Sequence, residues 1–332
     1  MVFGVQEVRK QGLPVLAIDL GGSKIIIAII SDKGEMIARE YCPTLADEGP
    51  PAVIDRMLSA IDHLLSLRNI DSSQLNSISI AAAGVIDMEK GIVTSSPSLP
   101  GWIDIPLRGI VDEKYKVNTF LINDASAAVL GEHHFGAGKG ANNLIYLTVS
   151  TGIGGGIIIN GRLYFGSSGG AGEIGHITVD VNGPRCNCGN IGCLEALASG
   201  TAVAREAMRR ISQGEKSSLT EMVEGKIESI TAEKVSLAAQ DGDSLALEVI
   251  SKAASYLGAG TANLVNIFNP EIIIVGGGMA KMGDLLLDPV RQVVKERAFR
   301  LLAQAVRVVP AQLGDDAAVF GAAIFAFQQG LD

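Results

Sequence analysis

The feature that most narrows the possible folds is a pattern that occurs twice. Leu16 to Leu20 is apolar, breaks at Gly21-Gly22 and resumes at Ile25 to Ile30, after which Ser31-Asp32-Lys33-Gly34 turns the chain into Glu35 to Cys42. In the second half, Leu144 to Val149 is apolar, Ser150-Thr151-Gly152-Ile153-Gly154 turns, Gly155 to Ile159 resumes, and Asn160-Gly161 makes another hairpin. Short apolar runs bounded by glycine read as buried strands, and Asn-Gly is a hairpin signal. One strand-turn-strand-hairpin unit at the start of each half points to an ancient duplication. Between them, Val53, Ile54, Met57, Leu58, Ile61, Leu64 and Leu65 form a helical stripe within Pro51 to Arg68, and Ile78 to Ala83 reads as a strand. Helical patterns dominate from Leu194 to Asn269, Glu271 to Val275 and Val306 to Val309 read as strands, and Asp315 to Gln328 closes the chain as an Ala-rich helix. The alternation is α/β.

At 332 residues, the chain is long enough for two domains of the usual size, roughly 100 to 200 residues each. Hydrophobic residues make up 47%, yet the longest aliphatic run is Ile25 to Ile30, far short of the ~18 to 20 residues that cross a bilayer. Glu7, Arg9 and Lys10 precede an apolar stretch that Asp19 interrupts, which is not the layout of a signal peptide, so no membrane association and a cytoplasmic location are expected. Net charge is -9, and that average field disfavours nucleic acid as a partner. The 40 glycines are spread among turns rather than gathered in a linker, so the whole chain is expected to fold.

Several positions carry chemistry. Asp19-Leu20-Gly21-Gly22-Ser23-Lys24 can point backbone N–H groups at an anion with Lys24 adding charge, although a plain hairpin tip would read the same way. The equivalent turn in the second half, Ser150 to Gly156, suggests that the two together hold a polyphosphate. Gly276-Gly277-Gly278 follows a strand and precedes a helix, offering flat backbone to an adenine ring. Asn123-Asp124 lies between a strand and a helix, where Asp124 is expected at or near the N-cap and also where open α/β sheets place ligands. Cys186, Cys188 and Cys193 fall within eight positions, and His176 lies ten residues upstream. This set matches a closed tetrahedral Cys₃His zinc site, the alternatives being free thiols or a redox pair. His133 and His134 have no thiol or acidic neighbours at useful spacing and read as surface or packing residues.

These pieces closely resemble the ROK family (repressors, open reading frames, kinases), within the actin-like, ribonuclease H-like and hexokinase-like ATPase fold. The resemblance spans nearly the full chain and rests on Asp19 to Lys24, Asn123-Asp124-Ala125, Ser150 to Gly156, Glu173-Ile174-Gly175-His176, Cys186-x-Cys188-Gly-x-x-Gly-Cys193-Leu194-Glu195 and Gly276 to Gly278. Ser23 stands where Thr is common and keeps the hydroxyl, whereas Ser98 stands where Asn is common.

The resemblance implies two lobes with the active site in the cleft: residues 1–124 with 315–332 as the smaller, and 125–314 as the larger, carrying zinc and nucleotide. It implies ATP with transient magnesium, and a hexose or N-acetylhexosamine phosphorylated at its 6-hydroxyl. Asp124 maps to the catalytic base. Asn123, Asp124, Glu173, His176 and Glu195 map to sugar hydroxyls, with His176 serving zinc and sugar at once. Gly21, Gly22, Ser23, Lys24, Thr151 and Gly152 map to phosphates, Asp19 lies near magnesium, and Gly276, Gly277 and Gly278 complete the nucleotide site. Glucose is the first expectation and N-acetylmannosamine the second, because the run Ala198 to Glu206 resembles bacterial ROK glucokinases. A ROK repressor would need a DNA-binding domain ahead of Asp19, where 18 residues stand. A homo-oligomer, dimer or tetramer, is expected. Loss of zinc is expected to weaken sugar binding far more than ATP binding, because both phosphate turns lie outside the zinc segment in sequence.

Overall fold

The computed structural model describes residues 12–329. In the first half, β1 (Val15–Leu20), β2 (Lys24–Ile30) and β3 (Met36–Pro43) form an antiparallel meander. All six residues of β1 are buried, which explains why its sequence is continuously apolar rather than alternating. Helix α1 (Pro50–Arg68) follows, then β4 (Ser77–Ala82), which pairs in parallel with β1. A small antiparallel sheet of β5 (Val85–Asp87), β6 (Ile92–Ser95) and β7 (Ile103–Ile105) precedes α2 (Leu107–Tyr115). Strand β8 (Thr119–Asn123) then completes the main sheet, in the order β3-β2-β1-β4-β8, and leads directly into α3 (Asp124–Phe135). Ile25, Ile27 and Ile29 share one core with Val53, Met57, Ile61 and Leu64 of α1. Each such side chain, once buried, contributes about 1.5 to 3 kcal/mol.

The second half repeats the pattern. Strands β9 (Leu144–Val149), β10 (Ile153–Ile159) and β11 (Arg162–Leu163) form its meander, with Asn160 and Gly161 both at positive φ, as a type I′ hairpin requires. Strand β10 begins at Ile153, two residues earlier than the apolar run indicates, because Gly154 stays in register opposite Thr148. Helices α4 (Leu194–Ala198), α5 (Gly200–Ser212), α6 (Leu219–Met222), α7 (Ala232–Gln240) and α8 (Ser244–Phe268) follow. Then come β12 (Ile272–Gly276), α9 (Asp284–Arg297), α10 (Arg300–Ala305) and β13 (Arg307–Pro310). The sheet order β11-β10-β9-β12-β13 copies the first, one strand for one. Helix α8 ends the helical region that the sequence indicates from Leu194 to Asn269, capped by the Asp243 side chain and closed by Asn269 in the left-handed conformation.

Helix α11 (Ala317–Gln329) closes the chain on the first sheet. The helix starts at Ala317, two residues later than the sequence indicates. Asp315 and Asp316 occupy a preceding 3₁₀ turn, because Asp315 is drawn to Lys24 and Asp316 to Arg39. The described residues up to Lys139, Leu163–Ala171 and those from Asp315 onward form one compact unit, and Gly140–Arg162 with Gly172–Gly314 form the other. Helix α3, which a boundary at residue 124 would assign to the larger lobe, belongs to the first unit because it packs along α11. Among the described residues, no helix is long and apolar enough to cross a membrane.

Candidate active site

In the first unit, the turn at residues 21–23 joins β1 to β2, with the Gly21 N–H donating to the Lys24 carbonyl at 3.0 Å. Thr44 straps it from the end of β3. Its N–H donates to the Ser23 carbonyl at 3.1 Å and its buried hydroxyl to the Gly21 carbonyl at 2.7 Å, while Arg56 of α1 donates to the Thr44 carbonyl at 2.6 Å. Neither Thr44 nor Arg56 stands out in the sequence, because each acts through a partner distant along the chain. Gly22 faces Ser98: a Cβ on Gly22 would lie 2.7 Å from the Ser98 carbonyl oxygen, so only glycine lets the 97–101 loop rest on the turn. Lys24, expected to face phosphate, pairs with Asp315 at 2.5 Å. Asp315 is thus a further member of the group.

Asp19 is buried within β1. Burial, reinforced by the charges of Asp124, Asp315 and Asp316 and opposed by Lys24, pushes its pKa up to about 7. Asp124 opens α3 in the same unit, but it is not the N-cap. Asn123 is, its side-chain oxygen accepting from the Ser126 N–H at 3.0 Å and its amide donating to the Gly84 carbonyl at 3.1 Å. That leaves Asn123 one amide hydrogen and one lone pair for a ligand. The Asp124 Oδ1 accepts from the Ala125 N–H at 2.8 Å. The first unit therefore combines a glycine turn with two carboxylates close enough to repel.

In the second unit, His176, Cys186, Cys188 and Cys193 bring their ligand atoms within 4.8 Å of one another. The Cys188 and Cys193 sulfurs are 3.6 Å apart, and the Cys186 sulfur is 3.7 Å from His176 Nδ1. With zinc–sulfur bonds near 2.3 Å, a tetrahedron has edges of about 3.8 Å, so the spacing suits zinc. Backbone bridges between Thr178 and Cys193 and between Arg185 and Ile191 fold the segment over the cluster. Burial pushes the Cys186 thiol up, and burial with the neighbouring sulfurs pushes Cys193 up to about 12, whereas the Asn190 backbone N–H lowers Cys188. A bound dication would supply the charge needed to hold these sulfurs as thiolates. All four cysteines are free of disulfides.

With Nδ1 turned to the sulfurs, His176 Nε2 faces outward, 3.9 Å from Glu173 Oε2. Partial burial raises the Glu173 carboxyl; His176 offsets this and Glu195 adds to it. Glu195, in the first turn of α4, takes a place its sequence position did not reveal. Its Oε2 accepts from the Ile153 N–H at 2.9 Å, a Cβ on Gly152 would overlap the same carboxylate, and its Oε1 lies 3.8 Å from the Cys186 sulfur. The start of α5 also grips the turn, with the Gly200 N–H on the Ser150 carbonyl at 2.7 Å and the Thr201 hydroxyl on the Thr151 carbonyl at 2.8 Å. The cysteine segment is thus joined to the second glycine turn through Glu195. Of the third turn, Gly276 and Gly277 are pressed against Tyr146 and Val149 of β9, while a side chain on Gly278 would meet only the Ser150 hydroxyl, 3.6 Å away. A 3₁₀ turn, Gly278–Met282, follows before α9.

Two five-stranded sheets of one order, each opening with a meander around a glycine turn, define the actin-like ATPase fold. The chain belongs to the ROK family, which it matches over residues 15–329. It is 39% identical over 315 residues to a glucokinase of Halalkalibacterium halodurans, covering 95% of each chain. It is 34% identical to a xylose repressor of Caldicellulosiruptor bescii, covering 95% of this chain and 78% of that one. Among solved structures, the ROK family glucokinase of Streptomyces griseus in complex with glucose and AMPPNP superposes with a TM-score of 0.84 at 33% identity, covering 95% of this chain and 99% of that one.

Proposed function

We propose that the protein transfers the γ-phosphoryl group of ATP to the 6-hydroxyl of glucose. The observation that carries this reading is the placement of Asp124 at the carboxyl end of β8, near enough to buried Asp19 to raise its pKa, in the unit that holds the Gly21 to Lys24 turn. The Asp124 carboxylate accepts the proton of the 6-hydroxyl as the oxygen attacks the γ-phosphorus, and ADP leaves. In the first unit the backbone N–H groups of the Gly21–Gly22 turn with Lys24, and in the second those of the Gly152 turn with Thr151, are the groups to bind phosphate oxygens. Asp19 is the residue to hold magnesium, which when bound offsets phosphate charge. Glu173 and His176 accept and donate hydrogen bonds to sugar hydroxyls, joined by Asn123 and Glu195. His176, Cys186, Cys188 and Cys193 are the residues that would hold a zinc ion, which with all four ligands from protein would leave no position for water and would fix the His176 tautomer and aim its ring.

Glucose is preferred over N-acetylmannosamine on the strength of the Halalkalibacterium and Streptomyces relatives, both glucokinases. A coupled assay with ATP over a panel of hexoses and N-acetylhexosamines tests it, with the highest kcat/KM expected for glucose. A higher value for N-acetylmannosamine would reassign the substrate. The likeness to the xylose repressor supports a second reading, a regulator that binds sugar without turning it over. Glucose binding with no ADP formed from any sugar would favour that reading.

A further inference from the structure

We infer that Glu195 is a positioning residue that couples the sugar site to the nucleotide site: without sugar its carboxylate occupies the anion position of the second glycine turn, and a sugar hydroxyl draws it away. The inference rests on the kinase reading above. A carboxylate oxygen accepting from a turn N–H is chemically the same contact that a phosphate oxygen would make. Glu195 Oε2 makes such a contact at the end of the turn, at 2.9 Å to the N–H of Ile153, the first residue of β10. The carboxylate also packs onto the Gly152 α-carbon, at the point where the chain has no side chain to exclude it.

The surrounding contacts hold the turn still while leaving the carboxylate able to move. The Ser150 and Thr151 carbonyls are gripped by Gly200 and Thr201 from α5, so the turn keeps its shape whatever Glu195 does. Glu195 itself reaches the turn through a side chain with three rotatable bonds from the first turn of a five-residue helix. Its Oε1 points toward the segment that also carries His176 and Glu173, where sugar hydroxyls are to be bound. Two anions cannot share one N–H, so nucleotide competes with Glu195 when the sugar is absent. When a hydroxyl donates to the carboxylate, the competition ends. Sugar therefore raises nucleotide affinity, nucleotide raises sugar affinity by the same factor, and ATP is protected from idle hydrolysis.

The test is calorimetric titration of the zinc-loaded full chain with magnesium-AMPPNP, with and without saturating glucose. In the native protein AMPPNP should bind about tenfold more tightly with glucose present, within the usual range of coupling between sites. In Glu195→Gln, sugar-free protein should bind AMPPNP about tenfold more tightly than native protein, and glucose, at whatever concentration saturates, should add little. A merely structural Glu195 predicts the opposite sign, because loss of its support would loosen AMPPNP. Equal AMPPNP affinity with and without glucose in the native protein would overturn the inference without need of any variant, as would weaker sugar-free binding in Glu195→Gln with zinc content unchanged. A native chain that binds neither glucose nor AMPPNP would refute the kinase reading itself.

Discussion

Asp124→Asn separates chemistry from architecture. The helix cap belongs to Asn123, and an asparagine oxygen can still accept from the Ala125 N–H, so the fold of β8 and α3 should survive the change. Glucose affinity should change little, since an amide still bonds a hydroxyl. Turnover should fall about 10² to 10⁴-fold, or about 3 to 5 kcal/mol of barrier, because the amide cannot take the proton. A second consequence follows from Asp19. Its folded pKa of about 7 lies above its ordinary value of 3.8, so the folded state binds more protons than the unfolded state between those values, and stability falls as pH rises from 4 to 7. The full shift corresponds to about 4 kcal/mol as an order of magnitude. Burial is its main cause and remains in the variant, but the Asp124 charge is removed, so the loss should shrink by on the order of 1 kcal/mol. Steady-state kinetics and denaturant unfolding at pH 4.5 and 7 in magnesium-free buffer read the two effects. Near-normal turnover would remove Asp124 from the role of base, and an unchanged pH dependence would show that it does not act on Asp19.

Thr44→Val removes the hydroxyl that straps Gly21 while keeping side-chain volume. It should cost about 1 to 2 kcal/mol in unfolding experiments and raise the KM for ATP several-fold with the glucose KM unchanged. Gly22→Ala should displace the 97–101 loop and cost about 1 to 3 kcal/mol of stability; unaltered unfolding would show that the loop yields freely. Native protein should contain one zinc per chain by elemental analysis. Cys188→Ser should release it and raise the KM for glucose, and at a fixed glucose concentration the KM for ATP with it, since a weakly held sugar no longer draws Glu195 off the Gly152 turn. A rise confined to glucose would show that the link does not transmit the loss.

The sequence by itself determined whatever depends on local period and spacing. Continuous apolar runs broken at Gly21-Gly22 and Gly152 can only be buried strands meeting at tight turns, which is why the duplicated meander was legible. Cys186, Cys188 and Cys193 lie within eight residues, so their convergence on His176 follows from short-range chain geometry. Asn123-Asp124 was legible as a strand-to-helix junction, but not which of the two caps, because either side chain can accept the N–H and only the backbone at residue 123 decides. Tertiary structure alone decided the rest. Thr44 reaches Gly21 across 23 residues, and Glu195 reaches Ile153 across 42. Lys24 meets Asp315 only because the last helix docks beside the first strands. No periodicity encodes such pairs. They arise when packing of separate elements brings a buried donor to an acceptor that would otherwise go unmet, and the cost of leaving it unmet then selects the partner.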